Sequence, residues 1–311
     1  MIRKLRLQKL LPFLTLTVLS MALWIASPYF ITVGNLSSII RQTAVINIMA
    51  LGMTVIIIAG GIDLSVGSML GLASVLGTMP MENHPIWVAM LAGIGAGAVC
   101  GLANGAMITG LRINPFIVTL GTMGIYRGIA LIVSKGVAIN KVPKSFRYLA
   151  DGDLLGVPFV FWILAFCAIV IHVMLEHTRL GRYAFSIGSN PDAAFYAGVP
   201  VAFVTMAVFA IGGLLTGLAS MIGASRLMSG QPTGGESYEL SAIAAVVIGG
   251  GSLRGGEGSV VGTLIGCFIM GLLRNGTDLL GINPHWQQVI IGAAIIIAVS
   301  IDTLQRRRTA V

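Results

Sequence analysis

Gly60 to Ser68 reads GGIDLSVGS and lies between two apolar runs, each about long enough to cross a bilayer. A glycine pair, one carboxylate and two serines interrupt otherwise featureless hydrocarbon. Breaks of this kind in membrane helices are tolerated where protein or a water-lined cavity surrounds them. Asp63 is the only carboxylate near the centre of the apolar framework, and an ionisable group at that depth is a functional hypothesis by default. Asn47, Gly60, Gly61, Asp63, Ser65 and Ser68 are therefore the candidates to line a path for a polar solute. A structural reading competes: Asp63 caps the third apolar span and Gly60-Gly61 makes the turn before it. A capped break can also shape a path, so the two readings are compatible.

Two further segments carry polar chemistry. The stretch from Glu176 to Val199 (EHTRLGRYAFSIGSNPDAAFYAGV) ends in the signature of a short capped helix. Asn190 suits the N-cap, Pro191 the first helical position, Asp192 the positive dipole end and Gly198 the stop. Ala193, Ala194, Phe195, Tyr196 and Ala197 are too apolar for free solvent. The helix is expected to dock on a soluble partner; the alternative is that it lies on the membrane surface. The second segment, Arg226 to Glu239 (RLMSGQPTGGESYE), is rich in turn formers. Gln231, Glu236, Tyr238 and Glu239 there are candidates for an outer gate or a contact with a solute-delivering protein, against the reading of an ordinary loop.

The motifs of soluble chemistry are missing. No lysine follows a glycine, so the chain has no phosphate-cradling loop of an ATPase. It has no nucleophile elbow, no zinc-binding His-Glu-x-x-His helix and no plausible carboxylate pair. Cys100, Cys167 and Cys267 lie in apolar segments without metal-ligand spacing and read as small buried hydrophobes. His84, His172, His177 and His285 read as interfacial. No catalytic, cofactor-binding or metal residue is expected.

The elements that must position these segments are membrane helices. The 311 residues are 56% hydrophobic and 10% charged, with mean hydropathy +0.93, against roughly 25% charged in a soluble domain. The chain is expected to be a single transmembrane domain over residues 1–311, with a cytoplasmic loop at 176–200. Spans are expected near 10–27, 44–61, 64–80, 86–109, 115–133, 159–175, 201–224, 240–252, 259–276 and 286–303, the eighth short and re-entrant or broken. The fold class is thus an all-α membrane protein of about ten helices. The net charge of +8 concentrates at the chain ends and in short connections. It reflects membrane orientation with both termini cytoplasmic, not nucleic-acid binding. Trp24, Trp87, Trp162 and Trp286 fall near the outer span ends in this topology. Lys135, Lys141, Lys144 and Arg147 disagree with it, because they lie in a connection that the count puts outside. The 41 glycines exceed the roughly 7% average, and those at 93, 95, 97, 101 and 105 read as tight helix packing. Val55–Gly71 and Val246–Gly266 echo each other: apolar run, glycine cluster, polar turn, Ser-Val, apolar run.

Gly60–Ser68, Thr178-Arg179-Leu180-Gly181-Arg182 with Gly188-x-Asn190-Pro191, Glu239 through Gly250, and Gly256 through Gly266 together resemble the ribose-type family of bacterial sugar ABC-importer permeases. The resemblance implies a ten-helix permease in the bacterial inner membrane that forms the path for a monosaccharide or similar neutral polyhydroxylated solute. It implies as partners a second permease copy or paralogue, two cytoplasmic ATPase domains, an extracytoplasmic sugar-binding protein and membrane lipid. ATP chemistry would then sit on another chain, which accounts for the missing phosphate loop. The family's ATPase-facing loop maps onto Arg179, Gly181, Gly188, Asn190, Pro191, Asp192, Ala194 and Gly198. The competing class is a stand-alone secondary transporter driven by an ion gradient, for which Asp63 is the one candidate.

Overall fold

The computed structural model describes residues 2–283 and, beyond them, 286, 289, 290, 292, 293, 296 and 300; of residues 2–10 it gives the backbone alone. Most of the expected tenth span, all of the basic cluster Arg306-Arg307-Arg308 and His285 fall outside the described residues.

The chain is helical nearly throughout. α1 (Ile2–Ala26) and α2 (Val33–Ile58) are followed by the break and by α3 (Val66–Thr78), which runs into a 3-10 turn at Met79–Glu82. α4 (Ile86–Leu111) and α5 (Pro115–Ser134) come next. A small structured connection follows: a 3-10 turn at Lys144–Arg147, α6 (Tyr148–Asp151) and a hairpin of β1 (Asp153–Leu154) and β2 (Val157–Pro158), with Asp153 opposite Pro158 and Leu154 opposite Val157. α7 (Phe159–His177), α8 (Arg179–Ser189), α9 (Pro191–Tyr196), α10 (Val201–Leu227), α11 (Tyr238–Ile248) and α12 (Val260–Leu279) complete the described fold.

Among the described residues six helices are long and apolar enough to cross a membrane: α2, α4, α5, α7, α10 and α12. The polar side is inward and the apolar side outward. Asn47, Thr54, Asp63, Asn104 and Thr216 are fully buried, while Leu91, Val99, Ile125, Ile132, Phe166 and Ile169 face out. That inversion of the soluble pattern identifies an all-α membrane protein.

The second span starts earlier than expected, the eighth is short as expected, and one connection is folded. The second span begins at Val33, not near 44: the Thr32 hydroxyl accepts the Asn35 N–H at 3.3 Å and caps the helix, and its polar first turns masked it in the hydropathy pattern. α11 has 11 residues, about 16 Å at 1.5 Å per residue, roughly half of a ~30 Å hydrocarbon core. The connection between the expected fifth and sixth spans is folded. Ser225 Oγ at the end of α10 donates to the Phe146 carbonyl at 2.6 Å and accepts the Ala150 N–H at 3.1 Å, with Phe146 buried beneath. Part of that segment's basic excess is paired, Lys141 with Glu82 at 2.7 Å and Arg147 with Asp151 at 2.8 Å.

The core is α2, apolar on every side and enclosed by α10, α12, α7 and α11. α10 also lies along α4, and glycines set how closely. Gly93, Gly97, Gly101 and Gly105 recur every four residues and so share one helix face. A Cβ on Gly97 would sit 2.8 Å from Gly217 Cα, one on Gly101 3.0 Å from Gly213 Cα, and one on Gly105 2.7 Å from Met206 Cα. Gly95 faces open space and takes no part. Small residues let backbones meet and gain dispersion contact where lipid offers no hydrophobic drive for association.

The internal echo extends to the backbone. After α2, Gly60 (φ +81°) donates to Ile57 O and Gly61 to Ile56 O, both at 2.9 Å. After α11, Gly250 (φ +89°) donates to Val247 O at 2.9 Å and Gly251 to Val246 O at 2.8 Å. Both are Schellman stops, which require a left-handed residue that glycine adopts without strain. Ser65 and Ser259 then stand at the N-caps of α3 and α12.

The seam predicts a contrast between two glycines of one helix. Gly101→Leu should destabilise the purified protein in detergent by about 1–3 kcal/mol or more, read as a lowered thermal midpoint. Gly95→Leu should leave that midpoint unchanged. Equal midpoints for the two variants would contradict the packing described.

Candidate translocation path and coupling surface

The break after α2 is held by a buried polar network. Asp63 is fully enclosed. Its Oδ1 accepts the Ser65 N–H at 2.8 Å and the Ser65 hydroxyl at 2.6 Å. Asn104, from the middle of α4, donates through Nδ2 to Ser65 Oγ at 2.8 Å and to Asp63 Oδ2 at 3.4 Å. The Tyr126 hydroxyl from α5 donates to Asn104 Oδ1 and the Cys100 carbonyl, each at 2.9 Å. Thr119 Oγ1 donates to the Ile62 carbonyl at 3.2 Å, and Ser68 Oγ to the Ser65 carbonyl at 2.9 Å. The strand of backbone from Gly61 to Ser65 lacks helical bonds, and these side chains replace them. Asp63 is not the N-cap of α3. Ser65 holds that position, and Asp63 closes an Asx-type turn onto it.

The next junction is made of backbone alone. α8 and α9 form a bent pair. The Thr178 hydroxyl accepts the Gly181 N–H at 3.3 Å to start α8, and Asn190 Oδ1 accepts the Ala193 N–H at 2.9 Å to start α9, with Pro191 at its first position. Gly198 (φ +82°) stops α9 and Val201 opens α10 directly afterwards. At the end of α8, Gly188 lies so close to the Ile58 carbonyl and the Gly256 nitrogen that no Cβ fits. A Cβ on Gly255 would lie 2.8 Å from both Gly60 Cα and Gly188 Cα, and the Gly256 N–H donates to Ile58 O at 2.9 Å. Both echoed breaks therefore converge on α8. Gly181 packs equally closely on the carbonyls of Met174 and Leu175, which turns the chain from α7 into α8. The other face of the pair is free: Arg179, Asp192, Phe195 and Tyr196 are exposed, whereas Ala194 is buried against the body.

The segment from Arg226 to Glu239 is pinned at two places. Arg127 on α5 donates through Nη1 to the carbonyls of Pro232 and, at 3.1 Å, Gly234. Gly230 exchanges two 2.9 Å backbone hydrogen bonds with Ile139. Glu239 reaches α3 at Gly67, Glu236 is exposed, and Gln231 donates through Nε2 to Ser229 Oγ at 2.9 Å. Tyr238 opens α11 and is half-buried.

The structure thus brings together Gly60 and Gly188, one from each candidate set, and joins Asp63, Ser65 and Ser68 in one network. Asn47 stands apart: it is fully buried in α2, its Nδ2 donates to Thr43 O at 2.9 Å, and its Oδ1 has no partner among the described residues. Sequence reasoning passed over Asn104, Tyr126 and Thr119, since single polar residues in apolar helices carry no spacing signal. It also passed over Arg127, which did carry one, as a charge inside the expected fifth span. No group of three His, Cys, Asp or Glu that could hold a metal occurs among the described residues.

Comparison with known proteins gives a consistent picture. A family model described as "Branched-chain amino acid transport system / permease component" matches residues 35–299. "Ribose import permease protein RbsC" of Bacillus subtilis (strain 168) is 43% identical over 300 residues, covering 95% of this chain and 93% of the relative. The protein of that name in Escherichia coli (strain K12) is 42% identical, over 89% of this chain and 88% of its own length. "D-allose transport system permease protein AlsC" of Escherichia coli (strain K12) is 34% identical, over 89% and 85% respectively. No solved structure matches the chain.

The buried network makes a prediction of its own. Asn104→Ala removes the donor to Asp63 Oδ2 and Ser65 Oγ, and should cost about 1–3 kcal/mol. Thermal unfolding of the purified variant in detergent checks it; a midpoint equal to that of the unaltered chain would contradict the role given to Asn104.

Proposed function

The chain belongs to the family described as branched-chain amino acid transport system / permease component, and from that premise we infer which solute it moves and how it is driven. It is the permease subunit of an ATP-binding-cassette importer, a translocation subunit and not an enzyme. The solute is a monosaccharide or a similar neutral polyhydroxylated molecule. The family model is broad and named for amino acids, but the relatives at 43%, 42% and 34% identity described above are named for ribose and allose. The partners are a second permease copy or paralogue, two cytoplasmic ATPase domains and an extracytoplasmic sugar-binding protein. Ten spans in the bacterial plasma membrane, with both termini cytoplasmic, complete the reading.

One observation carries the mechanism: α8 and α9 are fixed to the membrane body on one face and bare on the other. The fixed face is the Gly60–Gly188–Gly255 junction. The bare face presents Phe195, 66% exposed, and Tyr196, 87% exposed. An exposed aromatic pair on a rigid short helix is suited to a buried interface. We assign it to an ATPase domain. Closure of the ATPases then pushes on α9, and the push passes along α7 and α10, which flank the pair. Because Gly188 touches the Ile58 carbonyl, the same push reaches the break where Gly60, Gly61, Asp63, Ser65 and Ser68 lie. Asp63 is committed to three donors inside the protein, which favours a shaping role over ion coupling.

The double variant Phe195→Ala/Tyr196→Ala tests this. Both side chains are exposed, so permease stability should change by less than about 0.5 kcal/mol. Co-purification of the ATPase subunits and ATP-driven sugar uptake should fall at least tenfold. Unchanged co-purification and uptake would overturn the assignment.

A further inference from the structure

A cavity of about 220 Å³ lies under the outer segment, walled by α2, α3, α10 and residues 229–238. Its lining includes the polar residues Ser74, Ser220, Ser229, Gln231, Thr233 and Tyr238 and the apolar residues Val45, Leu70, Ala224 and Leu227. Its volume is below the ~300–1,000 Å³ of pockets for drug-sized ligands, so it admits one small molecule. No carboxylate lines it, and the only charged lining residue, Arg226, is exposed. Building on the importer reading, we propose that this cavity is where a single neutral monosaccharide is held in transit.

The hydrogen-bonding capacity fits that occupant. Ser74 Oγ donates to Gly71 O at 2.8 Å and Ser220 Oγ to Leu70 O at 2.9 Å. With their protons committed to backbone, these oxygens keep lone pairs for a solute hydroxyl. Among the described residues the hydroxyls of Thr233 and Tyr238 and the Gln231 Oε1 make no hydrogen bond to protein. A pyranose or furanose offers hydroxyls at its edge and C–H groups on its faces, and the lining likewise mixes hydroxyl-bearing and apolar residues. Val45, Leu70 and Ala224 supply apolar surface for the C–H faces, and Tyr238 supplies an aromatic ring. The residues at the α2–α3 break do not line this cavity. Its position also suits a gated site. Arg127 and the Ile139–Gly230 bridge pin the segment above it, and α10, which leaves α9 through Gly198 to Pro200, supplies Ser220, Gly223, Ala224, Arg226 and Leu227 to its wall.

Gly223 allows a direct test, because a Cβ there meets only Val45 Cγ2, at 3.9 Å. A side chain at this lining position therefore has room at its Cβ and takes up space at the cavity wall. Wild type, Gly223→Leu, Tyr238→Phe and the outward-facing control Gly95→Leu are reconstituted with ATPase and binding-protein partners in proteoliposomes. Uptake of labelled D-ribose, D-allose and D-galactose is measured, with D-ribose 5-phosphate as a charged competitor. The proposal expects Gly223→Leu to cut uptake at least tenfold with thermal midpoint and complex assembly retained, Tyr238→Phe to raise the half-saturating sugar concentration several-fold, and Gly95→Leu to behave as wild type. Wild-type uptake by both Gly223→Leu and Tyr238→Phe would overturn the cavity assignment alone. Stronger competition by the sugar phosphate than by unlabelled sugar would overturn the neutral class of ligand. A wild-type complex that moves none of the sugars with ATP would overturn the importer reading itself.

Discussion

Three stretches of backbone meet where no side chain has room, and the rest of the molecule is arranged around that meeting. Gly60 ends the central helix, Gly188 ends α8, and Gly255-Gly256 precede α12. The Ile58 carbonyl, left over at the helix C-terminus, is taken by the Gly256 N–H. A methyl group at Gly188 would force apart the two echoed breaks and the helix that bridges them. Contacts between backbones are stiff, because no rotamer can absorb a displacement. In the proposed mechanism this junction is where movement of the exposed α8–α9 pair would reach the membrane core.

Two other features depend on this junction. The polar network of Asp63, Ser65, Asn104 and Tyr126 replaces the backbone bonds missing between α2 and α3, so the break keeps one shape. The glycine seam between α4 and α10 is a second route in the proposed mechanism. Its flat surface lets α10 lie against α4 from Met206 to Gly217, and small-residue faces of this kind permit shear of one helix along another. α10 begins beside the α8–α9 pair and ends in the wall of the cavity under residues 229–238. A permease needs a device of this type, since ATP is hydrolysed on one side of the membrane and solute enters on the other.

The sequence makes the large features plain, because membrane helices announce themselves by hydropathy and helix stops by glycine. The capped helix from Asn190 to Gly198 was legible, since N-cap, proline and left-handed stop act locally. The echo between Val55–Gly71 and Val246–Gly266 was legible as a pattern and corresponds to two Schellman stops with the same hydrogen-bond pattern. α8 was not resolved from its surroundings, because an 11-residue amphipathic helix with three glycines or serines near its end looks like a loop. Long-range partners were hidden altogether. Nothing local links Asn104 to Asp63, or Arg127 to the carbonyls of Pro232 and Gly234. The oxygen-lined cavity could not be read from residues that lie some 150 positions apart, as Ser74 and Ser220 do.

The claim that the glycine junction carries the drive from the ATPase side into the membrane is tested most directly at Gly188. The measurement is ATP hydrolysis and sugar uptake, side by side, in proteoliposomes holding the assembled complex with Gly188→Val in place of the unaltered permease. The account predicts an assembled complex that still hydrolyses ATP but no longer transports sugar, because the coupling pair is wedged away from Ile58 and Gly256. A Gly188→Val complex that imports sugar at the unaltered rate per ATP would contradict it.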